Sequence, residues 1–219
     1  MSDQVLLTER HGNVAVLRLN RPDQRNALNA ALRQALIDTL DELADDDAVN
    51  VVVLTGQGST FCAGFDLKEL ESDDDQDAVF ANAHAYHHAV HTFPKPLIAA
   101  IEGHAVAGGM DLALMCDLRV GSDTARFGQP QVKFGVPAAY DLLTSVVPMA
   151  VARDLCLTGR IIEVNEAVEH GIVQRRSGSG DALDDAMVLA AEIATVNAAG
   201  FMKRLIVASQ PDLFDRRSD

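Results

Sequence analysis

The sequence predicts a layered α/β fold built from crossover βαβ units. Short apolar, β-branched runs alternate with longer segments of helical periodicity before residue 140. The runs VVVLTG at 51–56 and LIAAI at 97–101 consist almost entirely of apolar residues, which is typical of strands buried on both faces of a parallel sheet. A parallel pair needs a crossover of about a dozen residues or more, and the helical segments supply it.

The N-terminal elements follow from simple periodicities. VLLTE at 5–9 and VAVLRL at 14–19 are β-rich runs around RHGN, which predicts a hairpin. The segment 24–43 has apolar residues at 27, 28, 31, 32, 35, 36, 40 and 43, so we expect one amphipathic helix of about five turns there. A second helical stretch ends at His91, and DLRVGS at 117–122 predicts another strand.

Beyond residue 140 the pattern is helical only. The stretch 142–159 contains Pro148, and 163–173 includes Gly171 as a helix C-cap. The stretch 181–209 predicts a last long helix or a helix pair. We therefore expect no strand in this part of the chain.

Composition excludes several classes of partner. The 219-residue chain has a formal net charge of −14 and only 5% aromatic residues, which argues against nucleic acid and anionic membranes as partners. The N-terminal sequence has neither a basic region nor a long apolar run, so we expect a cytoplasmic protein. Cys62, Cys116 and Cys156 are far apart and odd in number, which predicts free thiols rather than a disulfide or metal framework.

Two clusters of titratable residues have ordinary explanations. His84, His88 and His91 recur at helical spacing beside His87. This spacing suits zinc or nickel, but no HExxH pattern accompanies it, so we favour a partly exposed helix face that helps to wall a pocket. The acidic run ELESDDDQD at 69–77 lacks the internal glycine of a calcium loop and predicts a solvated segment. No metal site is predicted.

Two loops of small residues predict a ligand site. CAGFD at 62–66 and AVAGGMD at 105–111 each follow a buried strand and enter a helix. TGQGSTFCAG resembles a phosphate loop but lacks its GK[ST] ending. If the backbone N–H groups of Phe65 and Gly108 point into a common space, they form an oxyanion hole suited to a thioester carbonyl that becomes an enolate. The helix dipole after Gly108 adds to this effect, and Asp111 lies in the first turn.

These loops, together with the longer motifs around them, resemble the enoyl-CoA hydratase/isomerase family, also called the crotonase superfamily. The matching stretches are VLRLNRPDQRNALN, VVVLTGQGSTFCAGFDLKEL, KPLIAAIEGHAVAGGMDLALMCDLRV, ARFGQPQVKFGVP and LTGRIIEVNEAVEHGIV. The resemblance implies a crotonase-like ββα spiral core over 1–175 and a C-terminal helical segment over 176–219, shortened relative to the family. It also implies an acyl-CoA substrate, a place in fatty acid metabolism and no cofactor, since coenzyme A is part of the substrate.

The resemblance implies roles for individual residues. The carbonyl-binding N–H groups fall on Phe65 and Gly108. The CoA-binding positions fall on Arg25, Ala27, Ala63, Phe65, Asp66, Leu67 and Lys68, with Lys68 near the adenine and phosphates. Family members assemble as trimers or dimers of trimers, so we expect a homo-oligomer.

The departures from the family pattern concern catalysis. Hydratases use two glutamates to position and activate water. The first position is Asp111, one methylene shorter, and the second is Gln131, which neither takes up nor gives a proton at ordinary pH. Efficient two-carboxylate hydration is therefore in doubt. VPAAYDLLTSVVP, about three residues shorter than the hydratase stretch, places Tyr140 and Asp141 near the pocket; the alternative is a simple helix start with Asp141 as a first-turn acid.

Three functions remain open at this stage. The leading hypothesis is an enoyl-CoA hydratase or isomerase type of enzyme, with Asp111 and Gln131 near the reacting carbons. The second is a decarboxylase of malonyl-type CoA thioesters, to which Tyr140 or Asp141 contributes. The third is a non-catalytic acyl-CoA binding protein that has lost the second catalytic carboxylate.

Overall fold

The computed structural model describes residues 4–70, 76–211 and 213. The strands in these residues are β1 (Leu6–His11), β2 (Val14–Leu19), β3 (Val51–Gly56), β4 (Leu97–Ile101), β5 (His104–Val106), β6 (Leu118–Gly121), β7 (Arg126–Gly128), β8 (Ile161–Glu163) and β9 (Arg175–Arg176). The helices are α1 (Ala30–Asp45), α2 (Leu67–Leu70), α3 (Gln76–His91), α4 (Gly108–Met115), α5 (Tyr140–Thr144), α6 (Met149–Thr158), α7 (Val164–Glu169), α8 (Ala182–Ala194) and α9 (Ala199–Ser209).

The main sheet has the strand order β1-β2-β3-β4-β6-β9. Strands β1 and β2 form the antiparallel hairpin, and every later pair in this sheet is parallel. Every residue of β3 and of β4 is buried, as their apolar sequences predict. The predicted α/β fold with crossover units is confirmed.

A smaller sheet of β5, β7 and β8 lies beside the main one. Strand β5 pairs with β7 in parallel, and β7 pairs with β8 in antiparallel fashion. Two isolated parallel bridges connect loops beside this sheet: Cys62 pairs with Ala105 of β5, and Leu28 pairs with Phe65. Three separate parts of the chain are thereby brought side by side.

Helix α1 begins later than the periodicity predicts. Asn29 is its N-cap, and the Asn29 side chain accepts a hydrogen bond from the Leu32 N–H. Residues 27 and 28 were expected inside the helix, but Leu28 is held in extended backbone by its bridge to Phe65. The pairing with a distant loop therefore overrides the local helical pattern, and the five-turn helix from residue 27 is wrong at its start.

Both faces of the main sheet are covered. One face packs against α1, α3 and α4 in the larger apolar cluster. The other face packs against α8 through Ala182, Ala186, Leu189 and Ala190. Helix α9 is tied to the core by an ion pair of 2.7 Å between Lys203 Nζ and Asp117 Oδ1. The boundary between 1–175 and 176–219 stays a prediction.

The expectation of helices alone after residue 140 is wrong. Strand β8 pairs with β7, and the two-residue β9 pairs with the end of β6. Neither run is long enough to show a period, so only the pairing partners make them strands. The predicted final helix pair is present as α8 and α9, with a bend of 99° between them.

Three further expectations concern the thiols, the membrane and the acidic run. All three cysteines are free, with Cys62 and Cys116 buried and Cys156 half-buried. Among the described residues no single helix is long and apolar enough to cross a membrane, although the α8–α9 pair passes that test by length and composition. Residues 71–75 of the acidic run lie outside the described residues, so its prediction stays untested.

Candidate active site

The two small-residue loops lie side by side in matching register. The Cys62 N–H donates to the His104 carbonyl over 3.0 Å, and the Val106 N–H donates to the Cys62 carbonyl over 3.1 Å. These bonds form the parallel bridge of Cys62 with Ala105. Phe65 lies three residues after Cys62, and Gly108 lies three residues after Ala105. The two residues therefore occupy equivalent positions along the two paired segments.

The close approach of the loops requires glycine. Gly64 has a φ of +99°, and a Cβ added there would lie 3.1 Å from the Gly108 nitrogen. A Cβ on Gly109 would lie 2.1 Å from the Cys62 carbonyl oxygen, and one on Gly108 would lie 2.8 Å from Phe65 Cδ2. The missing side chains therefore bring the two backbones and the Phe65 ring into contact.

The Phe65 and Gly108 N–H groups are available to a ligand. Among the described residues, neither donates a hydrogen bond to another protein group. Phe65 is instead held through its neighbours, since the Leu28 N–H donates to Gly64 over 2.8 Å and the Asp66 N–H donates to Leu28 over 3.3 Å. Gly108 is the first residue of α4, where the N–H has no acceptor within the helix.

Asp111 is a buried carboxyl in the first turn of α4. It is 7% exposed, and its Oδ1 accepts a hydrogen bond of 2.8 Å from Gln129 Nε2. Burial raises the pKa of Asp111 to about 7, and the Gln129 hydrogen bond opposes that rise. The carboxyl is therefore populated in both protonation states near neutral pH, as a proton carrier requires.

Gln131 contacts Asp111 only through Gln129. Gln131 Nε2 donates to Gln129 Oε1 over 2.7 Å, and the buried Gln131 Oε1 has no hydrogen-bond partner among the described residues. Gln129 is fully buried, and the sequence analysis missed it. The closeness of the two glutamines in FGQPQ was the available signal, and in the structure Gln129 is the N-cap of the short 3₁₀ helix Pro130–Phe134 that contains Gln131.

Arg25 and Ala63 line a common cleft of about 730 Å³, together with His104 and Arg126. The Ala63 N–H donates to the Arg25 carbonyl over 3.1 Å, which joins the two predicted CoA-binding segments. Ala27 is half-buried and does not line this cleft. The cleft therefore unites two of the predicted CoA-binding residues.

Asp66, Leu67 and Lys68 lie at the entrance of α2. The Asp66 carboxylate forms an ion pair of 2.8 Å with Arg21 and accepts the Lys68 N–H over 3.2 Å. Leu67 is 67% exposed, and Lys68 is exposed as well. Asp66 thus fixes the loop, whereas the two following side chains face solvent.

A buried arginine side chain lies over the Phe65 ring. Arg33 is fully buried, its guanidinium carbon lies 5.3 Å from the centre of the Phe65 ring, and its Nη1 pairs with Glu69 over 2.6 Å. The same nitrogen donates to the Leu28 carbonyl over 2.9 Å, and Nε donates to Asn82 over 2.7 Å. The sequence analysis did not identify this group.

The histidine face of α3 abuts the same ring. The His87 ring meets Phe65 edge-on at 5.8 Å. Burial lowers the pKa of His87 to about 4, assisted by the neighbouring His84, Arg33 and His91, so the imidazole is neutral at pH 7. In the described ranges, no group of three or more histidine, cysteine or acidic residues has a metal-binding arrangement. The His87 contact is consistent with a histidine face that walls a pocket.

Tyr140 and Asp141 form the first turn of α5. Helix α5 packs against α4, and Tyr140 is half-buried against the core. Gln129 donates a hydrogen bond to the Asp111 carboxyl. Their backbone agrees with the alternative of a simple helix start with Asp141 as a first-turn acid. A catalytic role for either residue stays a prediction.

The fold and these loops define an α/β protein in which two small-residue backbone segments converge close to a buried carboxyl. Residues 9–212 match the family model described as enoyl-CoA hydratase/isomerase. A Thermus thermophilus protein whose name places it among the enoyl-CoA hydratases is 44% identical over 84% of this chain and 75% of its own. The chain therefore belongs to the enoyl-CoA hydratase/isomerase family and is an acyl-CoA thioester enzyme of that type.

Solved structures support the same assignment. An enoyl-CoA hydratase from Bacillus anthracis superposes with a TM-score of 0.88 at 30% identity, covering 93% of this chain and 82% of that one. An enoyl-CoA hydratase from Mycobacterium tuberculosis superposes with a TM-score of 0.85 at 36% identity, covering 97% and 86%. The crotonase fold predicted from the sequence is confirmed.

Proposed function

We propose that this enzyme moves the double bond of an enoyl-CoA thioester by a proton transfer through Asp111. The Asp111 carboxylate takes a proton from Cα of a 3-enoyl-CoA, and the electron pair enters a dienolate. The thioester oxygen carries the negative charge and accepts hydrogen bonds from the Phe65 and Gly108 N–H groups. Asp111 then returns the proton to Cγ, which yields the 2-enoyl-CoA.

The observation that carries this proposal is the hydrogen-bonded series Gln131–Gln129–Asp111. Among the described residues of that series, Asp111 is the one carboxyl. A shift of the double bond needs a single group that accepts and returns one proton, and a pKa of about 7 suits both steps. A two-carboxylate hydration would need a second proton carrier where Gln131 stands.

Hydration is the second candidate. It is the reaction in the names of the relative and of the solved structures. Gln131 Oε1, buried and without a hydrogen-bond partner among the described residues, is an acceptor able to orient a water molecule. In that case Asp111 would take a proton from water and deliver one to Cα.

A substrate panel distinguishes the candidates. The purified protein is incubated with a 3-enoyl-CoA, crotonyl-CoA and methylmalonyl-CoA, and turnover is measured together with binding. We expect conversion of the 3-enoyl-CoA to exceed hydration of crotonyl-CoA. Faster hydration would establish the second candidate instead. Turnover of methylmalonyl-CoA alone would favour the decarboxylase hypothesis, and tight binding without turnover would favour the non-catalytic one.

Restoring the missing carboxylate sharpens the test. In Gln131→Glu, the new acid lies beside Gln129 and provides a second proton carrier, so we expect hydration of crotonyl-CoA to rise at least about tenfold. Gln34→Glu, an exposed change on α1, is the matched control and leaves both rates unaltered. If Gln131→Glu raises isomerisation and hydration equally, the single-carboxyl mechanism is wrong.

The proposal extends to cofactor and assembly. Coenzyme A is part of the substrate, and the mechanism above needs no resident cofactor. We also propose that the chain forms a trimer or a dimer of trimers. Exposed apolar side chains support this, including Phe134 at 84% and Leu157 at 82%, because such groups are favoured in interfaces. Analytical ultracentrifugation measures the mass directly.

A further inference from the structure

Two polar groups on fully buried side chains have no partner in the part of the protein that the structure describes. The Arg33 and Tyr86 side chains have no solvent exposure. Arg33 Nη2 and the Tyr86 hydroxyl have no hydrogen-bond partner among the described residues. An unpaired buried donor is destabilising, and such groups in a folded protein call for an explanation such as a ligand.

Both donors belong to the cluster of side chains around the Phe65 ring. The Arg33 guanidinium is 5.3 Å from the centre of the Phe65 ring. The His87 ring contacts Phe65 at 5.8 Å and contacts the Tyr86 ring at 4.9 Å. Asn82, which accepts from Arg33 Nε, is one helical turn before Tyr86 on α3. Both donors therefore neighbour the residue that is proposed to hold the thioester oxygen.

Hydrogen bonds from two of its nitrogens fix the Arg33 guanidinium in place. Nε is bonded to Asn82, and Nη1 is bonded to Leu28 and Glu69. Glu69 Oε1 accepts from the Ala30 N–H, so that carboxylate is already engaged with α1. Nη2 is the remaining nitrogen of the fork, and its position is set by the other bonds.

Tyr86 presents a neutral hydroxyl. Burial raises its pKa well above the usual range, so the group remains a hydrogen-bond donor at physiological pH. Its ring is packed in the larger apolar cluster of the core. The hydroxyl is therefore held in place, and none of the described residues accepts a hydrogen bond from it.

We propose that Arg33 Nη2 and the Tyr86 hydroxyl bind a carboxylate at the far end of the acyl group, so that the enzyme prefers CoA thioesters of dicarboxylic acids. Two donors match the two oxygens of a carboxylate, and a hydrogen bond from a guanidinium nitrogen to a carboxylate is charge-assisted and therefore strong. The inference rests on the proposed function for the place of the thioester. It deepens that function by naming the substrate class.

Binding of saturated thioesters tests the inference without any turnover. Succinyl-, glutaryl- and adipoyl-CoA are compared by calorimetry with butyryl-, valeryl- and hexanoyl-CoA, each pair having equal chain length. We expect at least one dicarboxylic thioester to bind on the order of tenfold more tightly than its alkyl counterpart. Equal or weaker binding in all three pairs would overturn the inference. Absence of turnover on enoyl substrates would contradict the proposed function instead.

Tyr86→Phe removes the hydroxyl alone. We expect the preference for the dicarboxylic thioester to fall about tenfold, and the melting temperature to stay equal or rise because the hydroxyl has no protein partner. A lowered melting temperature with an unchanged preference would overturn the inference. Thr55→Val is the matched control, since the buried Thr55 hydroxyl donates to the Ala100 carbonyl over 3.0 Å. That variant should lose stability and keep the preference.

Discussion

The two halves of the active site are built in different ways. The half that we propose to bind the thioester consists of backbone N–H groups at Phe65 and Gly108, and its geometry follows from strand pairing and from glycines that admit no side chain. The acid–base half consists of side chains, Asp111 with Gln129 and Gln131. Replacing one of these side chains changes the chemistry and leaves the fold in place.

The comparison explains how a family keeps one binding mode and changes its reaction. A backbone donor cannot be removed without disturbing the packing that positions it. A glutamine in place of a glutamate alters only the number of protons that the site can carry. The experiments below test each half separately, beginning with the largest expected effect.

Asp111→Asn removes the proton carrier and keeps the shape. The amide oxygen still accepts the Gln129 hydrogen bond, so acyl-CoA affinity should be nearly unchanged. We expect kcat to fall on the order of 10³-fold, within the range known for general acid–base groups. Steady-state kinetics and calorimetry measure the two quantities. Asp23→Asn, an exposed change, is the control, and retention of a tenth of the activity by Asp111→Asn would exclude Asp111 from the mechanism.

The same variant should alter the pH dependence of stability. The pKa of Asp111 is about 7 in the folded state against 3.8 ordinarily, so between these values the folded protein retains a proton that the unfolded chain has lost. This group therefore lowers the free energy of unfolding as pH rises from about 4 to about 7, by up to about 4 kcal/mol.

Urea denaturation at pH 4 and pH 8 measures this effect as a difference between proteins. The free energy of unfolding of Asp111→Asn minus that of the wild type should increase between the two pH values. Other carboxyls contribute equally to both proteins and cancel. A difference that is the same at both pH values would mean that the Asp111 pKa is not raised.

Gly109→Ala tests the backbone half. Its Cβ would lie 2.1 Å from the Cys62 carbonyl oxygen, so the loops must separate, and we expect a loss of about 3 kcal/mol in the free energy of unfolding. Gly178→Ala is the control, because nothing lies within 4 Å of a Cβ there. Equal stability of the two variants would show that the contact between the loops is not tight.

Gln129→Leu should have the smallest effect. The Gln129 hydrogen bond holds the Asp111 pKa down, so without it the pKa should rise further, by about one unit. The pH profile of kcat/KM for the 3-enoyl-CoA then moves to higher pH by the same amount. Gln34→Leu, on the exposed face of α1, should leave the profile in place. An unmoved profile in Gln129→Leu would mean that Gln129 does not tune the acid.

The long, fully buried strands could be predicted from the sequence because their composition alone distinguishes them. Strands β3 and β4 are examples. The short pairs β7–β8 and β6–β9 could not, because three or two residues show no period and become strands only where a partner is present. The start of α1 was misplaced for a related reason, since the Leu28–Phe65 bridge is a contact between distant parts of the chain.

The residues of the candidate site, like the strands, could be predicted only in part from the sequence. Small residues after a buried strand indicated the Phe65 and Gly108 loops, because glycine has a distinct conformational meaning. Gln129, Arg33 and Tyr86 are ordinary residue types in ordinary patterns. Gln129 matters because it is buried and bonded to Asp111. Arg33 and Tyr86 matter because each is buried with an unpaired atom among the described residues, and these features become visible only in three dimensions.

The matching register of the two loops limits how this chain can vary in length. Phe65 and Gly108 each follow the Cys62–Ala105 bridge by three residues, so one residue inserted at 63–64 or 106–107 would turn the following N–H to the opposite side. Insertions and deletions should therefore be excluded from these two short spans. They should be tolerated at the hairpin turn near Gly12 and in the loop around Gly178 and Gly180, where nothing lies within 4 Å of an added Cβ.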